Sequence, residues 1–161
     1  VILTKPLSPP SARLYQEGVG LKLVSVRRNS SAALPPQIKS LNFLNNILAK
    51  REASRAGAFD ALMLNNEGAV TECTVSNIFF ARQGRLHTPS LACGILEGVT
   101  RGVVIQLATD CGLTVEEGAF QPAELLEADE CFITNTSMEI MPVAAAVTPA
   151  PSANTRPCTR P

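Results

Sequence analysis

Apolar and polar residues alternate through the middle of the chain in a pattern that predicts a β-hairpin. The alternating residues 61–64 are followed by the turn sequence Asn65-Asn66-Glu67-Gly68 and then by the segment 68–80. Asn and Gly tolerate the backbone conformations that tight turns between strands require. We therefore predict two paired strands that place Glu72 near a sheet, followed by an apolar strand that begins after Ser76 and Asn77.

Two further stretches carry apolar residues at the spacing of an amphipathic helix, whose apolar stripe faces the core. The first covers residues 40–55, is ended by Gly57 and has the stripe Leu41, Leu44, Ile47 and Leu48. The second opens within residues 94–100, is closed by Gly112 and has its apolar residues four apart, at Val99, Val103, Leu107 and Cys111.

The remaining apolar runs predict strands. They cover the opening residues, 21–26, 86–88, a run from Leu113, 131–134 and 140–143, with a short acidic helix over 122–128. The polar turn Asn135-Thr136-Ser137 separates the last two strands. Residues 144–161 hold four prolines and no acid, a composition that predicts a disordered tail. We expect one domain over residues 1–143 and a tail over 144–161.

Composition favours a core-forming domain without a nucleic-acid or membrane partner. The chain has 161 residues, 45% of them hydrophobic, and its 14 Lys and Arg balance its 14 Asp and Glu, so net charge does not favour a polyanionic partner. No apolar run approaches the ~18 residues that a membrane span needs. The charges are segregated, because residues 1–40 hold six bases and one acid whereas residues 110–139 hold eight acids and no base.

The five cysteines include no Cys-x-x-Cys pair, and His87 is the one histidine in the sequence. We therefore expect no metal site. An odd number of cysteines without a signal peptide predicts reduced thiols in a cytoplasmic protein. His87 is expected to be a surface or strand residue and not a catalyst.

Two features carry candidate chemistry, and each has an ordinary structural alternative. Taken alone, Glu72 is typical of a solvated carboxylate or of one paired with a structural arginine. The helix start at Gly98 and Thr100 has exposed N–H groups and the positive end of the helix dipole, and is therefore a candidate phosphate site. An ordinary capped helix would have the same sequence pattern.

Four blocks in order over residues 39–143 resemble the class IV, or fold-type IV, aminotransferases, which are pyridoxal-phosphate enzymes. The blocks are Lys39-Ser40-Leu41-Asn42-Phe43-Leu44 with Ala49, Glu52 and Ala53; Thr71-Glu72 with Ser76-Asn77-Ile78-Phe79; Gly98-Val99-Thr100-Arg101; and Asn135-Thr136-Ser137-Met138-Glu139-Ile140-Met141-Pro142-Val143. The resemblance implies a mixed α/β (α+β) domain with a barrel-like sheet and flanking helices. It also implies a homodimer.

The resemblance assigns roles to individual residues. Lys39 is implied as the lysine that forms the internal aldimine, and Glu72 as the carboxylate opposite the ring nitrogen. Gly98, Val99 and Thr100 at the helix start, with Asn135 and Thr136 in the facing turn, are implied to bind the cofactor phosphate. Leu96 is implied to pack on the ring, and Ser76 and Asn77 to hold the strand of Glu72.

The resemblance leaves the reaction open among three possibilities. The block after Lys39 is more similar to the D-amino-acid aminotransferase and 4-amino-4-deoxychorismate lyase branches than to the branched-chain one. Asn135 favours the lyase, which eliminates pyruvate, whereas Thr136-Ser137-Met138-Glu139 favours an aminotransferase. Because the family's small N-terminal domain has no counterpart in this sequence, the chain is expected to be a fragment, and a catalytically inactive fragment that keeps the fold is the third possibility.

Overall fold

The computed structural model of the chain describes residues 3, 4 and 6–148, within which there are eight strands and four α-helices. The strands are β1 (Val19–Leu23), β2 (Asp60–Leu64), β3 (Val70–Cys73), β4 (Asn77–Arg82), β5 (Arg85–Pro89), β6 (Thr114–Gly118), β7 (Glu130–Asn135) and β8 (Glu139–Thr148). The helices are α1 (Ala12–Glu17), α2 (Leu44–Arg55), α3 (Val99–Asp110) and α4 (Pro122–Leu126), and a short 3-10 turn covers Leu91–Cys93.

The strands form one mixed sheet in the order β3-β2-β1-β8-β7-β4-β5-β6. Strand β1 is parallel to both β2 and β8, and β5 is parallel to β6, while the other neighbouring pairs are antiparallel. Although β3 lies at the edge of this order, it also contacts β4 and β5. The sheet is therefore curled into a half-barrel, which confirms the predicted mixed, barrel-like architecture.

Side chains alternate between the inside of the curled sheet and the helices outside it, as the two-residue repeat of a strand requires. Leu62, Ile78 and Phe80 point into the main core, together with apolar residues of β1, β7 and β8. Their neighbours Met63 and Phe79 pack under α2 and α3, respectively. The hairpin of β2 and β3 is confirmed, with Gly68 at a positive φ of 86° in its turn.

The predicted apolar stripes of the two long helices are wrong about which face is buried. Helix α2 buries Asn46, Ala49 and Ala53, while Leu41 in the loop before it and Leu44, Ile47 and Leu48 within it are exposed or partly exposed. Helix α3 buries Arg101, Val104 and Ala108 and exposes Val99, Val103 and Leu107. The buried residues of each helix follow the 3.6-residue period, at successive spacings of three and four. In α3, by contrast, the predicted apolar residues are spaced four apart and therefore drift around the helix.

Several element boundaries also differ from those predicted. Residues 3 and 4 have no regular structure, residues 1, 2 and 5 of the predicted opening strand lie outside the described residues, and α1 precedes β1. Strand β8 continues through Thr148 alongside β1, so residues 144–148 belong to the sheet and not to the predicted tail. The rest of that tail, 149–161, lies outside the described residues.

Over residues 3–4 and 6–148, no helix has the length and apolar character to cross a membrane.

Candidate active site

A cavity of about 760 Å³ opens where the ends of β3, β4 and β7 meet the loops that precede α2 and α3. These elements are distant in sequence, and the curl of the sheet brings them to one edge. All of the predicted site residues line this cavity, namely Lys39, Glu72, Ser76, Asn77, Leu96, Gly98, Val99, Thr100, Asn135 and Thr136.

Glu72 lies on β3 at the base of the cavity and is 5% exposed. Its Oε1 forms an ion pair of 2.5 Å with Nη2 of Arg28. Its Oε2 accepts hydrogen bonds from the backbone N–H of Leu96 at 3.1 Å and from Nδ2 of Asn77 at 3.2 Å. The side chain is therefore held by groups from three other segments, so that its orientation is determined before any ligand binds.

Burial raises the pKa of Glu72 to about 7, because the charged form loses its hydration. The positive charge of Arg28 and the N–H of Leu96 lower this pKa, as do the charges of Lys39 and Arg101. The carboxyl group consequently changes its charge near neutral pH, which is typical of acid–base sites.

Lys39 lies on the loop between β1 and α2, five residues before the helix begins at Leu44. The helix predicted over residues 40–55 therefore begins four residues later than expected, because residues 40–43 are irregular. Its side chain is exposed at the cavity, and its charge acts on Glu72 across it. The amine and the carboxylate thus face one space from different elements.

Asn77 joins the strand of Glu72 to the loop before α3. Its Nδ2 donates to Glu72 Oε2 and, at 2.9 Å, to the backbone carbonyl of Leu96. Gly98 lies against the same amide, since a Cβ built at Gly98 would stand 2.1 Å from Asn77 Oδ1. The absence of a side chain at Gly98 lets this loop approach β4 closely.

The N-terminus of α3 presents unused donors to the cavity. Gly98 is the N-cap and makes no side-chain cap hydrogen bond, so the first N–H groups of the helix, including those of Val99 and Thr100, have no capping side chain. Across the cavity lie the hydroxyl of Thr136 and that of Thr134, whose buried Oγ1 has no hydrogen-bond partner. Such a set of neutral donors at a helix N-terminus fits a phosphate group.

The side chain of Asn135 is fully hydrogen-bonded within the protein. Its Nδ2 donates to Val75 O and Ser76 Oγ, and its Oδ1 accepts from the N–H groups of Ser137 and Met138. Because an amide side chain offers two donors and about two acceptor sites, none is left for a ligand. The role of Asn135 stays a prediction, and its contacts favour an indirect one in which it shapes the turn of Thr136.

Arg28, Asn46 and Thr134 line the cavity and were not among the predicted site residues. Arg28 follows β1 and pairs with Glu72, Asn46 lies on the buried face of α2, and Thr134 carries the unpartnered hydroxyl. A buried carboxylate such as Glu72 needs a cation nearby, so the sequence could have suggested that some basic residue pairs with it. Sequence spacing does not indicate which one, because Arg28 lies 44 positions before Glu72.

Comparison with known proteins defines the class to which this fold and site belong. The family model described as "Amino-transferase class IV" matches residues 1–146. Enzymes of this class depend on pyridoxal phosphate. Lys39, Glu72 and the hydrogen-bond donors at the N-terminus of α3 fit the aldehyde, the ring nitrogen and the phosphate of that cofactor. The chain belongs to the class IV aminotransferase family.

Individual relatives carry different activities. The D-alanine aminotransferase of Bacillus licheniformis is 45% identical over 142 residues, which cover 88% of this chain and 48% of that protein. The aminodeoxychorismate lyase of Bacillus subtilis is 40% identical over 136 residues, covering 84% and 45%. A structure of the branched-chain aminotransferase of Thermobaculum terrenum in its PLP form is 43% identical, with a TM-score of 0.79 and coverage of 84% and 45%. The chain spans about half the length of these relatives.

Proposed function

We propose that the protein is a pyridoxal-phosphate-dependent aminotransferase that acts on an amino acid through Lys39. The observation that supports this most directly is the convergence of Lys39, Glu72 and the N-terminus of α3 on one cavity of about 760 Å³. Each group has the chemistry that one part of the cofactor needs.

The roles follow from position. Lys39 supplies the amine that attaches the cofactor and then moves a proton at its Nζ. Glu72 would keep a proton on the ring nitrogen by accepting its hydrogen bond. The N–H groups of Val99 and Thr100, with the hydroxyl of Thr136, would bind the phosphate, and Leu96 would pack on the ring. When bound, pyridoxal phosphate supplies an electron sink for the bonds of the substrate α-carbon.

The first test is covalent labelling of Lys39. The chain is mixed with pyridoxal phosphate, reduced with borohydride and mapped by peptide mass spectrometry, and we expect the reduced cofactor on Lys39. Lys39→Ala should lose both the label and the visible absorption band that the cofactor gives when it is bound to the lysine. A label on Lys22 or Lys50 instead would show that Lys39 is not the attachment site, and a chain that takes up no cofactor would be an inactive form of the fold.

The second candidate reaction is pyruvate elimination from aminodeoxychorismate, which the 40% identity with the B. subtilis lyase favours. The two reactions differ in product. Release of pyruvate from aminodeoxychorismate without a keto-acid acceptor would identify a lyase, whereas amine transfer from D-alanine to a keto acid would identify an aminotransferase.

The proposal includes a homodimer and a cytoplasmic location. The exposed apolar side chains of Leu41, Leu44 and Ile47 lie beside the cavity loop and suit a second copy of the chain. Cys73, Cys93, Cys111 and Cys131 are free thiols, the usual state in a reducing compartment.

A further inference from the structure

The guanidinium group of Arg28 connects three segments around Glu72. Besides its ion pair with Glu72, its Nη1 donates to Asn46 Oδ1 at 3.0 Å and its Nε donates to the carbonyl of Gly94 at 3.2 Å. The side chain is 12% exposed. All three nitrogens of the planar group are in use, so the group has a single orientation.

The two residues that accept these hydrogen bonds, Asn46 and Gly94, belong to segments that also help to position Glu72. Asn46 donates from Nδ2 to the carbonyl of Thr74 at 2.6 Å, just after β3. Gly94 lies two residues before Leu96, whose N–H binds Glu72 Oε2. Arg28 therefore holds the carboxylate directly, and also holds the turn after it and the loop that supplies its second donor.

The hydrogen bonds of Glu72 leave one acceptor site. An ionised carboxylate offers about four lone-pair sites, two on each oxygen. Oε2 accepts from Leu96 and Asn77, and Oε1 accepts from Arg28. The remaining acceptor capacity is on Oε1, in a residue that lines the cavity.

We propose that Arg28 is the positioning residue that stabilises the ionised form of Glu72 and orients its carboxylate, with one acceptor site on Oε1 left for the ring nitrogen of the cofactor. This inference rests on the proposed function of the site. It assigns to Arg28 an effect on the cofactor through Glu72, without contact between Arg28 and the reacting atoms.

The other cations near Glu72 are placed less well for this role. Lys39 is exposed and is the proposed attachment site. Arg101 is committed elsewhere, because its Nη2 pairs with Glu117 Oε2 at 2.5 Å and donates to Pro89 O at 2.9 Å. Of these three cations, Arg28 makes the ion pair with the carboxylate.

The test compares Arg28→Gln with Arg27→Gln, which removes the same charge from the adjacent, exposed side chain. Circular dichroism first establishes that both variants fold. The carboxyl groups of ¹³C-glutamate-labelled chain, without cofactor, are then titrated by NMR, and Glu72→Gln identifies the Glu72 signal. We expect the Glu72 midpoint to rise by ~1 pH unit or more in Arg28→Gln, because an opposite charge in contact is lost. Arg27→Gln should leave it in place.

Cofactor affinity is the second measurement. Loss of an oriented, charged acceptor should weaken pyridoxal-phosphate binding by roughly tenfold or more in Arg28→Gln. Arg28→Lys keeps the charge but not the three contacts. In this variant the Glu72 midpoint should stay close to that of wild type, while cofactor binding should be weaker. If Arg28→Gln does not fold, Arg28→Lys decides, because wild-type affinity in that variant would overturn the proposal.

Two results separate this inference from the proposed function. An unchanged Glu72 midpoint in folded Arg28→Gln, or equal cofactor affinity in Arg28→Gln and Arg27→Gln, would overturn the role of Arg28 while the wild type still binds cofactor. A wild-type chain that takes up no cofactor would instead contradict the proposed function.

Discussion

Glu72 is an acid whose burial and ion pair act in opposite directions. Burial favours its protonated form, while Arg28 and the N–H of Leu96 favour the ionised form, and the resulting pKa is about 7. A carboxyl group near its midpoint at neutral pH responds strongly to a bound cation, and a protonated ring nitrogen is such a partner. Binding of such a cation in the cavity is therefore expected to shift Glu72 to its ionised form.

The raised pKa predicts a pH dependence of stability. The folded chain binds this proton more tightly than the unfolded chain, in which the carboxyl group has its ordinary pKa of 4.5. The free energy of unfolding should therefore fall as pH rises from about 4.5 to about 7, by about 3 kcal/mol from this group alone. Urea denaturation of wild type and Glu72→Gln at pH 5 and pH 8 measures the difference between their pH slopes.

The exposed Glu67 offers a matched control for that experiment. Glu67→Gln should retain the wild-type pH slope, whereas Glu72→Gln should lose the contribution described. Parallel slopes in wild type and Glu72→Gln would contradict the assignment of a raised pKa to Glu72.

At the scale of elements, α3 is placed by a close approach at its N-terminus. Gly98 packs against the amide of Asn77, which is itself held by Glu72 and by the carbonyl of Leu96. A side chain at this position would have to displace that amide. Four residues further along the same helix, a Cβ at Gly102 would meet nothing within 4 Å.

These two glycines predict opposite effects of the same substitution. Gly98→Ala should destabilise the fold by roughly 1–3 kcal/mol, because it displaces a buried hydrogen-bonded amide. It should also weaken cofactor binding. Gly102→Ala should stabilise the chain by roughly 0.5–1 kcal/mol, since alanine is favoured over glycine within a helix. Thermal melting and cofactor titration of both variants test the pair, and equal effects would argue against the packing at Gly98.

At the scale of the whole molecule, the chain has a well-packed sheet interior and an apolar outer side. Phe79, Phe80 and Ile133 are buried within the sheet and its helix contacts. By contrast, Leu44 and Ile47 are 62% and 57% exposed on α2. Large apolar side chains grouped on one helix face are typical of an interaction surface.

We expect this face to drive self-association. Sedimentation velocity of the wild-type chain should show dimers, and the double substitution Leu44→Ser with Ile47→Ser should shift the population towards monomers. Leu113→Ser is the control, because Leu113 is also 50% exposed but lies outside this face. A monomeric wild type, or the same shift in the control, would count against a dimer through α2.

The sequence predicted the elements better than their faces. The β2–β3 hairpin and both long helices are confirmed. Leu44 and Ile47 were misassigned to the core because hydrophobicity alone does not distinguish a buried helix face from an exposed apolar one. In α2, the small Ala49 and Ala53 permit close contact with β2 and are completely buried.

What the sequence determined by itself is local in origin: turn residues, strand alternation, helix periods and the four ordered blocks that identify the family and the cavity residues. Only the tertiary structure decided that Arg28 is the partner of Glu72, that Asn135 joins the turn of Thr136 to Val75 and Ser76, and that α2 packs through alanines. These contacts join residues 44 to 60 positions apart or elements on different layers. They depend on the curl of the sheet, which arises from the combined packing of all its strands and leaves no periodic signal in any one segment.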